Sequence, residues 1–498
     1  MLSSYRPWMN YLFALFAGAL TTLTFSPFEL WWLGPIAIGL MYIGLHDLSP
    51  GQAALSGWCY GVTLFASGTS WVYVSIHEYG YTDVPLAVLL TALFVVLLAL
   101  FYAIPFWLYR RFIGQRLTFL SFAGLWVLIE VLRTYLFTGF PWLLLGSAHV
   151  DSPLAPLAPV GGVYLLTLVT ALTGTLGIEF LRRRWWAGVM VAALWLVPWL
   201  LPLQWTTASA ERVEVSLLQG NLPQLTKWTS EGRRNAAKTY ARLSRELSND
   251  VDLVIWPETA LPMNQAQATP LLEDVLTKLP TETALLTGIV QRDDAGRYYN
   301  AVIGAGEATG TYRKAHLVPF GEYIPLEELL RGIIAFFDLP MSDFTAGDTK
   351  QAPIRAAGLS IGIAICYEII FPELVAERAK DANLLLTVSN DTWFGDTIGP
   401  LQHLQMARLR ALENGLYLLR ATSNGVTAVI DPQGKVIARL PQFKIGSLSE
   451  DVRAMQGQTP FTRTGSWPTW LLASLFILLG ARWRSANGKT YSRMMCHG

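Results

Sequence analysis

Eight apolar stretches of near-spanning length constrain the fold of this chain more than any other feature. Seven lie in the first 205 residues and one lies close to the carboxyl end. A helix needs about 20 predominantly apolar residues to cross a bilayer, so each stretch is a candidate transmembrane helix. They cover residues 10–26, 30–45, 55–74, 85–108, 117–132, 161–181, 185–201 and 467–481.

The segment between the seventh and eighth stretches is different in character, with regular charges and no run of spanning length. We therefore predict a membrane domain of about seven helices over residues 1–205, a folded domain over 210–458, and a final helix with a basic tail over 466–498. Only 15% of the residues are charged and the net charge is +1. These values exclude a disordered chain and offer no electrostatic basis for binding nucleic acid.

Basic residues in short loops predict the orientation, because cytoplasmic loops of membrane proteins carry an excess of Lys and Arg. Loops rich in basic residues alternate here with loops that hold almost none. The basic residues are Arg110, Arg111, Arg116, Arg182, Arg183, Arg184, Arg482, Arg484, Lys489 and Arg493. Both termini are therefore predicted to be cytoplasmic. An odd number of spans then places the 210–458 domain outside the cytoplasm.

Short β-rich runs alternate with amphipathic stretches inside the 210–458 segment. Helical spacing occurs at residues 232–249 and 400–416. Repeated strand–helix alternation predicts an α/β layered sheet. The predicted strands are residues 213–218, 253–255, 284–290, 301–304, 359–365, 384–388, 425–430 and 436–440.

Three segments place reactive side chains at or near the ends of these predicted strands. Glu258 follows Trp-Pro, Lys314 lies in a segment that also holds Glu322, and Cys366 ends an apolar strand and precedes Tyr-Glu. Active sites of α/β proteins gather at the carboxyl ends of strands, so an acid, a lysine and a thiol could converge. A thiol with a base and a nearby cation is what nucleophilic acyl chemistry requires.

Each of these residues also has a structural interpretation. A lone cysteine at a strand end is most often a small buried hydrophobic residue. Glu258 could cap the segment after Pro257, and Lys314 could be a solvated charge. Spacing and composition leave these alternatives open.

The three motifs resemble the signatures of the carbon–nitrogen hydrolase (nitrilase) superfamily. The segments are Trp-Pro-Glu258, Lys314 followed by His-Leu-Val-Pro-Phe-Gly-Glu322, and Cys366-Tyr-Glu368. That resemblance implies an αββα sandwich with a Glu–Lys–Cys triad. A nitrilase-type domain between seven spans and an eighth resembles its membrane-bound branch, the bacterial apolipoprotein N-acyltransferases. Residues 219–224, Lys227-Trp228, 389–395 and 138–142 add to the resemblance.

The resemblance implies a ping-pong acyl transfer in the bacterial inner membrane, the last step of lipoprotein maturation. The donor is the sn-1 chain of a phospholipid, typically phosphatidylethanolamine, and the acceptor is the amine of a diacylglyceryl-cysteine in an apolipoprotein. Cys366 would form a thioester, and Glu258 would carry the protons. Lys314 and the Tyr367 N–H would stabilise the oxyanion. The chemistry implies no metal or organic cofactor.

Further site residues follow from the same resemblance. Glu322 would position Lys314 or share the proton work, unless it is a loop carboxylate paired with an arginine. Tyr367 and Glu368 would support the nucleophile, although the Tyr367 ring could simply pack against the sheet. Aromatic residues that could line the acyl or lipoprotein entrance, or merely pack, are Trp228, Trp393 and Phe394.

Glu130 and Arg133 form an unusual pair of charges within the fifth apolar stretch. They lie three residues apart, on the same face of a helix. Buried membrane charges are costly unless paired, so we expect an ion pair. With Trp142, this pair could hold a phospholipid headgroup, or it could be purely structural.

Two other functions remain open at this stage. A membrane-anchored amidase would share the thioester step but use water as the acceptor, so the triad cannot distinguish it from a transferase. A transporter or ligand-binding membrane protein would leave Cys366 inert. Eight spans favour a lipidic substrate, and three matching motifs argue against an inert site.

Overall fold

The computed structural model describes residues 7–45, 47–114, 117–202, 204–325 and 343–481. Arg116 and the basic tail over 482–498, which contributed to the predicted orientation, lie outside the described residues. Every predicted apolar stretch contains a helix. The corresponding helices are Pro7–Thr22, Leu33–Gly44, Pro50–Gly68 with Trp71–Val74, Val84–Leu108, Thr118–Tyr135, Ala158–Leu181, Trp185–Leu196 and Trp467–Gly480.

Three helical segments are long and apolar enough to cross a membrane, namely Val84–Ile113, Thr118–Thr138 and Ala155–Leu181. Most of the side chains in the first of them are exposed or only partly buried. Leu89 is 62% exposed and Leu97 is 53% exposed, as expected for a surface that faces lipid. Shorter apolar helices, including Leu33–Gly44, accompany them in the described residues. The N-terminal part is therefore a helical membrane region.

The carboxyl-terminal part contains two six-stranded sheets. The strands are numbered in chain order, and two short ones, β1 over Thr207–Ala208 and β14 over Met455–Gln456, pair with each other outside these sheets. In the first sheet, β2 is Val213–Gln219, β3 is Leu253–Trp256, β4 is Ala284–Arg292, β5 is Tyr298–Gly306, β6 is Thr311–Arg313 and β13 is Gly446–Val452. In the second, β7 is Ile354–Ala356, β8 is Leu359–Ile365, β9 is Leu384–Ser389, β10 is Leu418–Thr422, β11 is Ala428–Ile430 and β12 is Val436–Arg439. Neighbouring strands follow the order β13-β2-β3-β4-β5-β6 in the first sheet and β12-β11-β10-β9-β8-β7 in the second.

The two sheets pack face to face and helices cover their outer surfaces. Residues of β2, β3, β8 and β9 share one apolar core. The helices Ser230–Arg245 and Gln265–Leu276 cover the first sheet. The helices Pro372–Ala379 and Gly399–Asn414 lie against the second sheet. Strands covered on both faces read as continuous apolar runs, which explains why their sequences do not alternate. The predicted α/β layered fold is confirmed for this part of the chain.

Three edge strands that the sequence pattern did not predict complete the sheets, namely the seven-residue β13 and the shorter β6 and β7. Strands β6 and β7 have only three residues each, too short for a recognisable apolar period. β6 pairs with β5 in antiparallel fashion, with Ala301 opposite Arg313. This pairing matters because Lys314 directly follows β6.

The helix Gly399–Asn414 joins the two-sheet domain to the membrane helices. Its Gln405 side chain accepts a hydrogen bond from the Ser26 N–H at 3.1 Å. Farther along, the Glu413 carboxylate accepts one from the Val163 N–H at 2.8 Å. The helix ends at Gly415, whose left-handed backbone (φ 63°) suits glycine. Polar contacts along a nearly fully buried helix thus fix one domain on the other.

Candidate active site

Glu258, Lys314 and Glu322 form one buried cluster of charges. The Lys314 ammonium lies 2.7 Å from Glu322 Oε2 and 3.8 Å from Glu258 Oε1. Lys314 is only 1% exposed, and both acids are below a tenth exposed. Glu258 comes two residues after β3 and Lys314 directly follows β6, so the first sheet supplies both. The structure therefore brings together two predicted triad members and the predicted second acid.

The pKa values of these groups are shifted by burial and by one another. Burial raises the pKa of Glu258, and the Lys314 charge opposes that shift. Burial alone would lower the pKa of Lys314, but Glu322 and Glu258 outweigh it and the net shift is upward. Lys314 is therefore a permanent cation, whereas Glu258 is a carboxyl group suited to exchanging protons.

Cys366 lies at the end of β8, in the second sheet, and faces this cluster. Its partly buried thiol has a raised pKa, first through desolvation and then through the negative charge of Glu258, while Lys314 opposes the shift. The thiol is therefore protonated at rest and needs a base before it can act as a nucleophile. The structure thus brings the third predicted triad member to the same site from the opposite sheet.

The backbone at Cys366 adopts a left-handed conformation, with φ at 51°. For a residue other than glycine, this conformation costs roughly 1–2 kcal/mol. Such strain persists only where surrounding contacts enforce it, and it is concentrated at functional sites. The turn that begins at Cys366 is a short 3₁₀ segment, Cys366–Ile370, which projects the thiol from the strand end.

Glu368 connects the segment of the nucleophile to the segment of the lysine. Its Oε2 accepts the Ile365 N–H at 2.7 Å. Its Oε1 accepts the Ala315 N–H at 2.7 Å, the His316 N–H at 3.0 Å and the Tyr312 hydroxyl at 2.9 Å. Glu368 is fully buried. These bonds hold the chain on both sides of the cluster, and none of them involves the Cys366 thiol.

Tyr367 joins the nucleophile turn to the membrane domain. Its hydroxyl donates to the Gly139 carbonyl at 2.9 Å. Its ring lies edge-on to Phe371, with centroids 5.2 Å apart. Gly139 lies in the 138–142 loop after the helix Thr118–Tyr135 and has φ at 88°. The side chain of Tyr367 therefore anchors a membrane loop beside the candidate site.

The three aromatic residues predicted near the entrance occupy different environments. Phe394 is buried and packs edge-on against Trp71, with centroids 4.7 Å apart. Trp393 is half-buried and lies 5.8 Å from Tyr79. Trp228 is half-buried, and its buried indole N–H has no partner among the described residues. Phe394 thus has the packing role that its structural interpretation expects, and the substrate role of all three stays a prediction.

Two asparagines that the sequence did not single out bind the acids. Asn300 Nδ2 donates to Glu258 Oε1 at 2.7 Å and to Glu322 Oε1 at 2.9 Å. The Asn390 N–H donates to Glu258 Oε2 at 2.7 Å. Asn390 belongs to residues 389–395, which carried part of the resemblance, whereas no sequence signal marked Asn300. Together they fix both oxygens of Glu258.

Lys227 is a second buried ammonium next to the cluster. It is 3% exposed and donates to Thr259 Oγ1 at 2.9 Å. Burial lowers the pKa of Lys227 to about 8, against the opposing attraction of Glu258. Its charge in turn acts to lower the pKa of Glu258. The sequence marks Lys227 and Trp228 only through the resemblance. The structure adds the effect of the Lys227 charge on the pKa of Glu258.

Glu130 and Arg133 do not form the expected ion pair, although both are buried and both lie within the described residues. Arg133 donates to the carbonyls of Trp142 and Leu143 at 2.8 and 3.0 Å. Glu130 accepts the Leu145 N–H at 2.8 Å and the Thr167 hydroxyl at 2.7 Å. Backbone groups of the loop after the helix bind both side chains in place of the ion pair. Their contacts are those of residues that hold this loop.

The site lies where strands of the two packed sheets end, with the Cys366 thiol from one sheet and the buried Glu258–Lys314 pair from the other. This arrangement and the three motifs are those of a carbon–nitrogen hydrolase type of protein. The family model described as "Carbon-nitrogen hydrolase" matches residues 214–460. A second family model, "Apolipoprotein N-acyltransferase N-terminal domain", matches residues 17–176. The two models match separate parts of the chain.

Relatives that match nearly the whole chain identify its family within this superfamily. The chain is 46% identical to "Apolipoprotein N-acyltransferase" of Azotobacter vinelandii, over 95% of each chain. It is 44% identical to the protein of the same name from Pseudomonas syringae pv. tomato, over 96% of this chain and 98% of that one. This chain belongs to the apolipoprotein N-acyltransferase family. It is therefore an acyltransferase of the carbon–nitrogen hydrolase superfamily.

Proposed function

We propose that this enzyme transfers the sn-1 acyl chain of a membrane phospholipid to the N-terminal amine of the diacylglyceryl-cysteine of apolipoproteins. The donor that we favour is phosphatidylethanolamine. The observation that carries the mechanism is the buried Glu258–Lys314–Glu322 cluster opposite Cys366. Membership of the family supports acyl transfer, and this cluster supplies the groups for that reaction.

In the first half-reaction, Glu258 takes the proton of the Cys366 thiol as sulfur attacks the ester carbonyl. The pKa of Glu258 is raised and that of the thiol is also raised, so transfer occurs as the new bond forms. Lys314 and the Tyr367 N–H stabilise the oxyanion. The ester C–O bond then breaks, and Glu258 returns its proton to the glycerol oxygen. The lysophospholipid departs, and the acyl chain remains on Cys366 as a thioester.

In the second half-reaction, the lipoprotein amine attacks the thioester carbonyl. Glu258 accepts a proton from the amine, the C–S bond breaks, and the proton passes to the Cys366 sulfur. The products are an amide and the free thiol. Glu322 keeps the Lys314 cation in place throughout, since it is the closer of the two carboxylates.

We further propose eight membrane spans with cytoplasmic termini and a periplasmic catalytic domain in the inner membrane. The exposed apolar side chains of the helix Val84–Leu108 support contact with lipid. Arg182 and Arg184 both pair with Glu179, near the end of the helix Ala158–Leu181, which suits a cytoplasmic boundary. A site beside the membrane helices would receive two acylated substrates from the bilayer.

Trp228, Trp393 and Phe394 are proposed to border the path of these substrates. Trp393 and Phe394 support this role because both contact aromatic residues of the membrane helices. Amphipathic aromatic side chains suit a boundary between lipid and water.

The test is a product analysis with purified enzyme, defined phosphatidylethanolamine and a diacylated lipopeptide. We expect triacylated lipopeptide and lysophospholipid to appear in equal amounts. The Cys366→Ala variant is expected to give neither. Release of free fatty acid without acylated peptide would instead support a hydrolase that uses water as acceptor. Full transfer by Cys366→Ala would refute the thioester mechanism.

A further inference from the structure

A buried group of three side chains lies behind the Cys366 turn and takes no part in the proton transfers described above. Arg420 Nη2 donates to Asp391 Oδ2 at 2.6 Å, and His403 Nδ1 lies 3.1 Å from Asp391 Oδ1. On the other side of the ring, His403 Nε2 lies 3.2 Å from the Cys366 carbonyl oxygen. All three side chains are at most 1% exposed.

The hydrogen on His403 can be assigned from its partners. A carbonyl oxygen only accepts, so the contact with Cys366 requires a hydrogen on Nε2. Burial, and then the charge of Arg420, lowers the pKa of His403, which favours the neutral ring. In the neutral ring, Nδ1 accepts from Arg420 Nη2, which lies at 3.1 Å. A protonated ring would donate to Asp391 and still keep Nε2–H on the carbonyl.

The position of this carbonyl bears on the reaction because a peptide group is planar. The Cys366 carbonyl and the Tyr367 N–H belong to one peptide, and in a trans peptide they point in opposite directions. A donor that fixes the carbonyl therefore also fixes the direction of the N–H. The left-handed backbone at Cys366 makes this peptide one that needs external support.

The group is also linked to both neighbouring parts of the protein. Asp391 directly follows Asn390, whose N–H binds Glu258. The ring of His403 lies 5.6 Å from that of Trp142, a residue of the membrane domain. The indole N–H of Trp142 donates to Gln402, the neighbour of His403, at 2.7 Å. The ring is thus held on several sides.

We propose that His403, held by Arg420, which Asp391 anchors, is a positioning residue that aims the Tyr367 N–H at the oxyanion formed during acyl transfer. This inference rests on the proposed function, because it assumes ester attack by Cys366. It predicts a specific pattern of defects. Acyl-enzyme formation needs the oxyanion donor, whereas alkylation of Cys366 by iodoacetamide passes through no oxyanion.

The experiment measures both reactions in the full-length, detergent-solubilised enzyme for wild type and for His403→Ala, Gln and Asn variants. Loss of one oxyanion donor costs about 10²–10³-fold in rate. We expect His403→Ala to form the thioester at least about tenfold more slowly and to alkylate within about threefold of wild type. Gln, whose amide nitrogen reaches the position of Nε2, is expected to restore most of the rate, and the shorter Asn is not.

His149 provides a matched control. It is also fully buried, and it bonds to Ser152 and Thr170 within the membrane domain. His149→Gln is expected to leave the ratio of acylation to alkylation unchanged. If His403→Ala does not fold, the comparison of Gln with Asn decides the question in the same way.

Several outcomes would overturn the inference. They are wild-type acylation by a folded His403→Ala enzyme, equal acylation by the Gln and Asn variants, or a parallel loss of acylation and alkylation. A failure of the proposed function would look different, because wild-type enzyme would then form no Cys366 adduct at all.

Discussion

The ammonium of Lys314 lies 2.7 Å from Glu322 but 3.8 Å from Glu258. Lys314 therefore pairs more closely with Glu322, the acid that transfers no proton in the proposed mechanism. Glu258 remains available to the thiol, while the lysine stays charged and fixed. This division of roles between two buried acids requires different environments. Asn390 donates its N–H to Glu258 alone, and Val318 donates its N–H to Glu322 alone.

Replacing Glu322 with Gln tests this division. Without the closer carboxylate, Lys314 is expected to move toward Glu258, lower the pKa of Glu258 and weaken it as a base. We expect thioester formation to slow by about tenfold or more, in line with the loss of a positioned charge partner. Single-turnover acylation measures this. The exposed Glu307 gives the control Glu307→Gln, which should match wild type. Equal rates for the two variants would contradict the assignment.

Asn300 supports both acids, and two substitutions separate its contributions. Asn300→Ala removes two hydrogen bonds and leaves buried carboxylates less satisfied, at a cost of about 1–3 kcal/mol. Asn300→Asp adds a third negative charge to the cluster and should be the more damaging change. We expect acylation to fall in the order wild type, Ala, Asp. Asn249→Ala, at an exposed position, is the control. An Asp variant as active as the Ala variant would show that charge is unimportant here.

Lys227 predicts a measurable effect on the pH profile. Its positive charge lowers the pKa of Glu258, so Lys227→Met should raise that pKa. Glu258 must be ionised to accept the thiol proton, and the rising limb of the acylation rate should therefore move to higher pH. The exposed Lys238 supplies the control Lys238→Met, for which no shift is expected. A limb that is unchanged, or that moves to lower pH, would refute the role of Lys227.

Glu368 is predicted to be structurally essential. Glu368→Gln replaces one oxygen with an NH₂ group facing backbone donors, and each buried donor left unpaired costs about 1–3 kcal/mol. We expect a lower melting temperature and a parallel loss of acylation and alkylation, unlike the selective defect expected for His403→Ala. Glu377, an exposed partner of Lys380, gives the control Glu377→Gln. Such surface pairs contribute about 0–1 kcal/mol. A stable, inactive Glu368→Gln enzyme would point to direct catalysis.

Sequence patterns predicted the parts of this molecule that depend on local periodicity. The apolar stretches became helices, and the runs before Glu258 and Cys366 became β3 and β8. The three-residue strands β6 and β7 escaped prediction because their stability comes from pairing with neighbours. The domain boundaries at residues 205, 210, 458 and 466 stay predictions.

Contacts that depend on the packing of the two sheets could not be predicted. Asn390 reaches Glu258 across 132 residues of sequence, and Asn300 lies near the start of β5 with no motif around it. The prediction of an ion pair between Glu130 and Arg133 was wrong for a related reason. Helical spacing brings them to one face, but the following loop offers both side chains backbone partners.

The proposed mechanism depends on a thioester at Cys366, which the mass of the intact protein can detect. Purified enzyme is incubated with one defined phosphatidylethanolamine and no acceptor. We expect a mass gain of one acyl chain, located on Cys366, removed by hydroxylamine and discharged by a diacylated lipopeptide. We expect no such adduct on Cys366→Ala. An unmodified wild-type enzyme that still acylates the lipopeptide would contradict the thioester mechanism.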